Sequence, residues 1–506
     1  MKLWIFLNAL VLLALLEPFS RSDHFIIGNQ WVLANAIIID PSNPQYSVDR
    51  LDWNQRVPAK NPSALVYCEN AQDVANWISY ARNERARNES YQFSIRSGRH
   101  SYEAYSVNNG GIVIDVSRMK SISIDTMHQQ VTIGAGMRNF EIYQSLWNHS
   151  SDLDGRFAFT GGTCPTVGIG GFALGGGFGY LARYHGLAID NLVSAQIVMY
   201  NSQILTVNQT NEYRDLFWAL RGGGNGNFGV VISFTFKLIK APSFVVKYDL
   251  EWSNDDHMYH VFSIWQELAP TIDSRLTSQF TIYNGTFASQ GLFVFGSEEE
   301  LRDLLQPLLT ASTNNLRKIQ FKTYSYMDSV LEYAGCKTIQ ECEAIMHSQP
   351  SYEHPILYKT KSSYAFEPLS RHAIQQFANI LSAPYSYAAL AGSFSCVQFD
   401  SYGGVIGQVD IQSTAFPHRR ARFHAQYMIY YNKREYTAMA EDWINAFYEK
   451  TAPLYLSRFS YANYCDSYLK HYEHSYYGEN MWELRKVKQK YDPINLFRYE
   501  QSIQFP

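Results

Sequence analysis

Thr160 to Gly179 read TGGTCPTVGIGGFALGGGFG, nine glycines in twenty residues around one cysteine, Cys164. A stretch so poor in Cβ atoms cannot pack as an ordinary helix or strand. It supplies turns at positive φ and lets backbone amides approach a flat or charged ligand. A flexible spacer is the alternative, but spacers are rich in serine and other polar residues. Here Val167, Ile169, Phe172, Leu174 and Phe178 are interleaved with the glycines, which suits buried turns in a ligand-contacting loop.

Some sixty residues upstream, the strand-like Gln92–Ile95 breaks into Arg96-Ser97-Gly98-Arg99-His100-Ser101-Tyr102. Backbone amides, a hydroxyl and guanidinium groups converging after a strand make a phosphate-binding turn. Alone, His100 reads as a hydrogen-bonded structural histidine. Beside Cys164 it gains a second reading, because imidazole nitrogen and cysteine sulfur are the side-chain atoms that most readily attack an electron-poor flavin ring.

With these pieces the chain resembles the flavin-linked oxidases of the berberine bridge enzyme type, within the vanillyl-alcohol oxidase fold group. The matching segments are RSGRHSYEAYS at 96–106, GGTCPTVGIGGFALGGGFGYLARYHGLAIDNL at 161–192, ALRGGGNGNFGVV at 219–231 and FPHR at 416–419. YANYCD at 461–466 follows, and then YYGEN, VKQKYDPINLF and QSI. The resemblance implies FAD held by two covalent bonds, through His100 to the ring methyl and through Cys164 to the benzenoid ring. It places Arg96, Ser97, Gly98, Arg99 and Ser101 against the cofactor. From the glycine-rich run it adds Gly161, Gly162, Val167, Gly168, Gly170, Gly171, Phe172, Gly175, Gly176 and Gly177, and from later segments Gly229, Val231 and Asn495. Where the family has Gly-Gly-His this chain has Gly98-Arg99-His100, and Arg99 is expected to reach outward or toward the pyrophosphate.

The same resemblance assigns chemistry. Tyr464 matches the tyrosine that family alcohol and sugar oxidases use as base; an ordinary phenol has a pKa of about 10, so the role calls for a nearby cation or donors that favour phenolate. His424 stands where plant relatives have lysine and is the candidate modulator. Gln426 and Tyr102 are candidates for holding the substrate or Tyr464. Gln408 occupies the place of the alkaloid-forming relatives' catalytic glutamate, and an amide cannot act as that base. Val167 corresponds to the oxygen gate and favours an oxidase. Phe172 replaces a histidine and donates no hydrogen bond. For Tyr464, Gln426, Tyr102 and His424 a purely packed or hydrogen-bonded role is the alternative.

Composition agrees with a large globular enzyme. At 506 residues the chain exceeds what one hydrophobic core supports, so two lobes are expected. Hydrophobic residues at 46% and charged residues at 17% exclude a disordered chain. A net charge of −4 gives no basic field, so nucleic acid is not an expected partner. The 37 tyrosines serve the core and lobe interface, and some could form a stacking platform for sugars or phenols. No metal site is expected.

Residues 1–22 read as a secretory signal: Lys2, the apolar Leu3–Leu16, then small Ser20 and Ser22 before the cut. No later segment is long and apolar enough to be an anchor. Acceptor sequons at Asn88, Asn148, Asn208 and Asn284 fit a secreted glycoprotein. Cys336 and Cys342 are close enough in sequence for a local disulfide. If Cys164 holds flavin, at least one of Cys68, Cys396 and Cys465 stays unpaired.

Along the chain, strands are expected at Ser63–Tyr67, Gly111–Val116, Gln130–Gly134 and Val230–Leu238, a hairpin at 193–207, and helices at Asn70–Arg85, with Asn70 as cap, and Asn211–Leu220. After Ala241-Pro242, apolar strands at Leu292–Phe295, Ala388–Phe399 and Arg422–Tyr431 alternate with helices at Ser297–Leu309 and Arg371–Leu381. The expected fold is α+β, a two-lobed PCMH-type FAD-binding domain at 23–241 (core 58–240) interrupted by a substrate lobe with an antiparallel sheet at 242–455. Residues 456–506 return to the FAD domain. The leading reading is a secreted FAD oxidase of an alcohol, on a carbohydrate or other hydroxylated small molecule, with dioxygen as acceptor and hydrogen peroxide as product. The alternatives are a dehydrogenase with another acceptor and a non-catalytic flavin-fold glycoprotein.

Overall fold

In the computed structural model the described residues are 24–27, 30–33 and 37–505, apart from 151, 153–154, 254–257, 284–285, 312–314, 352–354 and 383–392. The proposed signal at 1–22 and the sequon asparagine Asn284 lie outside them. No helix among the described residues is long and apolar enough to cross a membrane.

The strand that leads into His100 lies in a four-stranded sheet ordered Ile37–Ile39, Ala64–Tyr67, Ile112–Asp115, Ser94–Arg96, with the last three strands parallel. Ala64–Tyr67 and Ile112–Asp115 are buried throughout, as continuous apolar runs in a parallel sheet must be. The crossover between them contains the helix Ala71–Arg87, started by Asn70, whose side chain accepts from the amides of Gln72 and Asp73. Val74, Trp77, Ile78 and Ala81, at helical spacing, pack onto the sheet.

A second sheet, antiparallel throughout, runs Ile204–Asn208, Leu192–Val198, Val230–Lys237, Gln130–Gly134, Ile122–Asp125. The glycine-rich run carries one short helix, Ile169–Leu174, and at Gly168 and Gly170 it packs against Ser97-Gly98 and Ala135, just beyond a strand of the first and of the second sheet. The last fifty residues return here. Lys488 donates to the carbonyl of Asn227 at 2.7 Å, and Asn227 Oδ1 accepts from the Ile503 amide at 2.9 Å, tying the C-terminal segment to the second glycine cluster.

Between these parts of the chain lies a seven-stranded antiparallel sheet: Leu316–Tyr324, Val245–Ser253, Thr286–Val294, Leu276–Tyr283, Phe394–Ser401, Phe423–Tyr431, Leu357–Ala365. The helices Met258–Leu268, Arg371–Ser382 and Thr437–Tyr455 cover one face with an aromatic core that includes Trp252, Phe262, Trp265, Phe280 and Phe399. Leu316–Tyr324 is an edge strand with exposed Arg317, Lys318 and Lys322. The opposite edge strand, Leu357–Ala365, is buried at every position. The architecture is a mixed α+β fold.

The strand expected at Ala388–Phe399 is Phe394–Ser401, and 388–392 lie outside the described residues. The helix expected over 297–309 is two, Glu298–Leu304 capped by Ser297 and Gln306–Ala311, with Pro307 in the first turn of the second, where its missing N–H costs nothing. Cys336 and Cys342 form the local disulfide, and Cys68, Cys396 and Cys465 all remain free.

Candidate active site

One cavity of about 660 Å3 lies where the two glycine-rich segments, the His100 turn, the seven-stranded sheet and the C-terminal segment meet. Its walls follow from close backbone packing. A Cβ at Gly98 would come within 2.2 Å of the Gly168 nitrogen, and one at Gly168 within 2.4 Å of Ser97 Oγ, so the His100 turn and the Cys164 loop touch main chain to main chain. His100 and Cys164 therefore line the same cavity. Ser97 fixes the turn by donating to the Ala135 carbonyl at 2.8 Å.

His100 stacks on Trp53, with centroids 5.6 Å apart, and its Nε2 pairs with Thr166 Oγ1 at 2.8 Å; in the tautomer in which Nε2 donates to that hydroxyl, Nδ1 carries the lone pair. Burial first, and Arg138 second, lower its pKa to about 3, so the ring is neutral and nucleophilic. Cys164 opens onto the cavity but is ringed by protein, and that enclosure raises the pKa of its thiol.

Tyr102 and Tyr464 line the same cavity, stacked with centroids 5.5 Å apart and rings 19° from parallel. Gln426 Nε2 lies 3.4 Å from the Tyr102 hydroxyl. Beside them the strand Phe394–Ser401 places Asp400, whose Oδ1 accepts from Gln279 at 2.7 Å and Gln398 at 2.9 Å, while Tyr180 donates to Gln279 at 2.8 Å. Burial first, then Tyr102 and Asp400, push the Tyr464 phenol well above its ordinary range. These surroundings favour the neutral phenol at Tyr464.

Of the residues singled out from sequence, Ser97, Gly98, Arg99, His100, Ser101, Tyr102, Gly162, Cys164, Val167, Gly168, Gly170, Gly171, Phe172, Gly229, Val231, Gln426 and Tyr464 line the cavity. The others sit behind it. Arg96 is sealed in an ion pair with Asp115 at 2.6 Å and donates to the Asp49 carbonyl. Arg99 does not reach outward: at φ +63° it turns inward to Tyr67 Oη at 2.9 Å and Gln349 Oε1 at 3.0 Å. Gly161 makes room for Tyr143, Gly175 for Asn463, Gly176 for Phe416 and Gly177, at φ +78°, for Ala188. Asn495 occupies a left-handed turn bonded to the Asp492 carbonyl. His424 lies behind Tyr464, with centroids 5.2 Å apart, and its Nδ1 is 3.6 Å from Asp400 Oδ2. Gln408 ends a short helix outside the cavity. Asp400, Gln279, Gln398 and Trp53 are missing from the sequence reading. A carboxylate at the end of the apolar strand, beyond Phe399, was the available signal for Asp400.

The residues present fit an FAD. Gly171 has open space on its Cβ side, Tyr105 Oη, Asn139 Oδ1 and Asn225 Oδ1 are buried without a partner among the described residues, and the volume is that of a cofactor site. Residues 62–208 match the FAD binding domain family, and residues 460–504 match the family described as berberine and berberine like. The chain is 33% identical to the uncharacterized FAD-linked oxidoreductase YgaK of Bacillus subtilis, over 92% of this chain and 96% of that one. The structure of BBE-like 1 from Physcomitrella patens matches with a TM-score of 0.83 at 26% identity, covering 94% of this chain and 98% of that one. A glucooligosaccharide oxidase of Acremonium strictum with a 6-S-cysteinyl, 8α-N1-histidyl FAD matches with a TM-score of 0.81 at 25% identity, covering 93% and 97%. A pair of nucleophiles lining an FAD-sized cavity together with tyrosines and amides thus coincides with sequence and structural likeness along nearly the whole length, and the chain belongs to the berberine bridge enzyme-like family of FAD-linked oxidoreductases.

Proposed function

We propose that the protein oxidises a hydroxyl group of a carbohydrate to a carbonyl or lactone, with FAD bonded to His100 and Cys164 and dioxygen as the final acceptor. The observation that carries this reading is the convergence, on one cavity, of those two nucleophiles and the stacked Tyr102 and Tyr464 with Gln426, Gln279, Gln398 and Asp400. Amides, a carboxylate and tyrosine rings are the surfaces that hold a sugar, by hydrogen bonds at its hydroxyls and by contact with its apolar face. The glucooligosaccharide oxidase similarity supports the same substrate class.

Bound FAD supplies a two-electron acceptor for hydride. The protein's part is to orient the alcohol and take its proton. Gln426 and the Tyr102 hydroxyl fix the substrate hydroxyl. Tyr464, a neutral phenol, accepts that proton as it passes its own on, and Asp400, steadied by Gln279, Gln398 and His424, is the carboxylate available to receive it. Val167 lines the cavity three residues after Cys164, and its modest side chain supports access of dioxygen.

Secretion and glycosylation are part of this proposal; Asn88 and Asn148 are exposed, whereas Asn208 is half-buried. The test is a panel of sugars and simple alcohols, followed anaerobically by bleaching of the flavin and aerobically by oxygen uptake and peroxide. Bleaching with sugars and stoichiometric peroxide is the expected result. Turnover only with an artificial acceptor would replace oxidase by dehydrogenase, and no bleaching with any sugar or alcohol would overturn the reading.

A further inference from the structure

Behind the two tyrosines, and outside the cavity, lies a sealed group of charges. Lys359, on the strand Leu357–Ala365, has a side chain 1% exposed and an ammonium group that bridges Glu103 and Asp466, the latter at 2.7 Å. Glu103 directly follows Tyr102, and Asp466 is two residues beyond Tyr464. Glu103 also takes Arg56 and the Ser467 hydroxyl, and the second oxygen of Asp466 takes Lys361, which in turn donates to Asn445 Oδ1 at 2.9 Å. Arg56 completes the set with Glu441. Burial would raise the Asp466 carboxyl, but Lys359 and Lys361 outweigh it and hold it below its ordinary value.

Five buried charges with the half-buried Glu441 are a poor way to stabilise a fold, because desolvation consumes most of the attraction; what such a network can do is fix one geometry among several. Here the chain segments it joins are those that carry Tyr102 and Tyr464. We infer that Lys359 is a positioning residue that bolts the Tyr102 turn to the Tyr464 segment, holding the two rings in register for oxidation without itself touching the substrate. The inference rests on the catalytic reading of those tyrosines, and part of its test does not.

Cys465, a free thiol between Tyr464 and Asp466 that lines the cavity, reports on the bolt independently of activity. In the full-length flavoprotein, Lys359→Met is expected to make iodoacetamide modify Cys465 about tenfold faster, as local opening requires. The buried Cys68 and Cys396 should stay protected. Flavin reduction by the panel sugar that reduces the parent fastest should slow about tenfold or more with KM little changed, the effect of a small misplacement. Lys359→Arg should recover both values. If Lys359→Met does not fold, the double variant Lys359→Met/Glu103→Gln, which removes opposite charges together, is expected to show the same division. Cys465 reactivity equal to that of the parent, or all three thiols opening together, would overturn the bolt. A fast Cys465 with undiminished reduction would overturn its role in positioning the tyrosines. If no sugar reduces the parent, the thiol result still decides the bolt while the catalytic reading fails separately.

Discussion

His100 is useful because the cavity wall encloses it. An exposed imidazole is partly protonated near neutrality, whereas this ring, with its pKa lowered to about 3, is neutral and keeps a lone pair on one ring nitrogen, Nδ1 when Nε2 donates to Thr166. If both proposed links form, replacing either His100 or Cys164 by Ala should leave flavin on the acid-precipitated polypeptide, and replacing both should release it. Colour in the supernatant of the parent protein would refute the double tether. Tyr464 poses the converse case, a group asked to accept a proton while its surroundings keep it protonated. Tyr464→Phe should slow anaerobic flavin reduction about 10²-fold, as loss of an acid-base group does, with flavin attachment unchanged. Asp400→Asn separates relay from phenolate. Removing that carboxylate should lower the Tyr464 pKa, because Asp400 helps to raise it, yet reduction should still slow by about 10²-fold if the proton must move on. Faster reduction at neutral pH in Asp400→Asn would favour a phenolate base instead.

Among the elements, the helices Tyr326–Ala334 and Ile339–His347 form a pair stapled by Cys336–Cys342, with Ala334 and Ile345 on the cavity wall. Arg138 donates to the Met346 carbonyl at 2.6 Å, and Gln144 to Glu343 at 2.8 Å, so the pair is also held to the flavin-side framework. Opening so short a loop by Cys336→Ala/Cys342→Ala is expected to cost about 2 kcal/mol, read as a lower melting temperature with the fold retained. How far elements could be read from sequence depended on whether the local signal was also the deciding one. Asn70 and Ser297 announce their helices because a cap is a local interaction, and the hairpin about Asn201-Ser202 forms as its alternation indicates. Leu357–Ala365 could not be read that way. Its Lys359, Thr360, Lys361, Ser362 and Ser363 look like a solvent-facing stretch, yet all are buried, and the two lysines find their carboxylate partners more than a hundred positions away. The site divides likewise. The glycine-rich walls follow from sequence, whereas Asp400 acquires its place from strand pairing opposite His424.

For the molecule as a whole, buried titrating groups make stability depend on pH in opposing ways. His418, stacked on Tyr364 and donating from Nε2 to the Tyr476 carbonyl at 3.0 Å, has its pKa lowered to about 3, chiefly by burial. Its folded pKa lies below the unfolded 6.5, so its contribution is complete above that value and is lost as the unfolded chain takes up a proton on acidification. At pH 5 the loss is about 2 kcal/mol. Asp52 runs the other way: burial outweighs Arg96 and raises its carboxyl from 3.8 to about 6, so the cost of the charged form is present above 6 and relieved as pH falls toward 3.8. Melting temperatures from pH 7 to 5 should therefore fall less steeply for His418→Gln than for the parent, and from pH 6 to 4 more steeply for Asp52→Asn; parallel curves would show that neither group is perturbed as described.

The outer strand Leu316–Tyr324 has a consequence for encounters between copies. A free strand edge is a template on which another chain can polymerise, but this one carries Arg317, Lys318 and Lys322, and two such edges approaching each other would bring like charges together. The large sheet is thereby protected against growing from molecule to molecule, a safeguard that matters most at the high concentrations at which a nascent or refolding chain would otherwise aggregate.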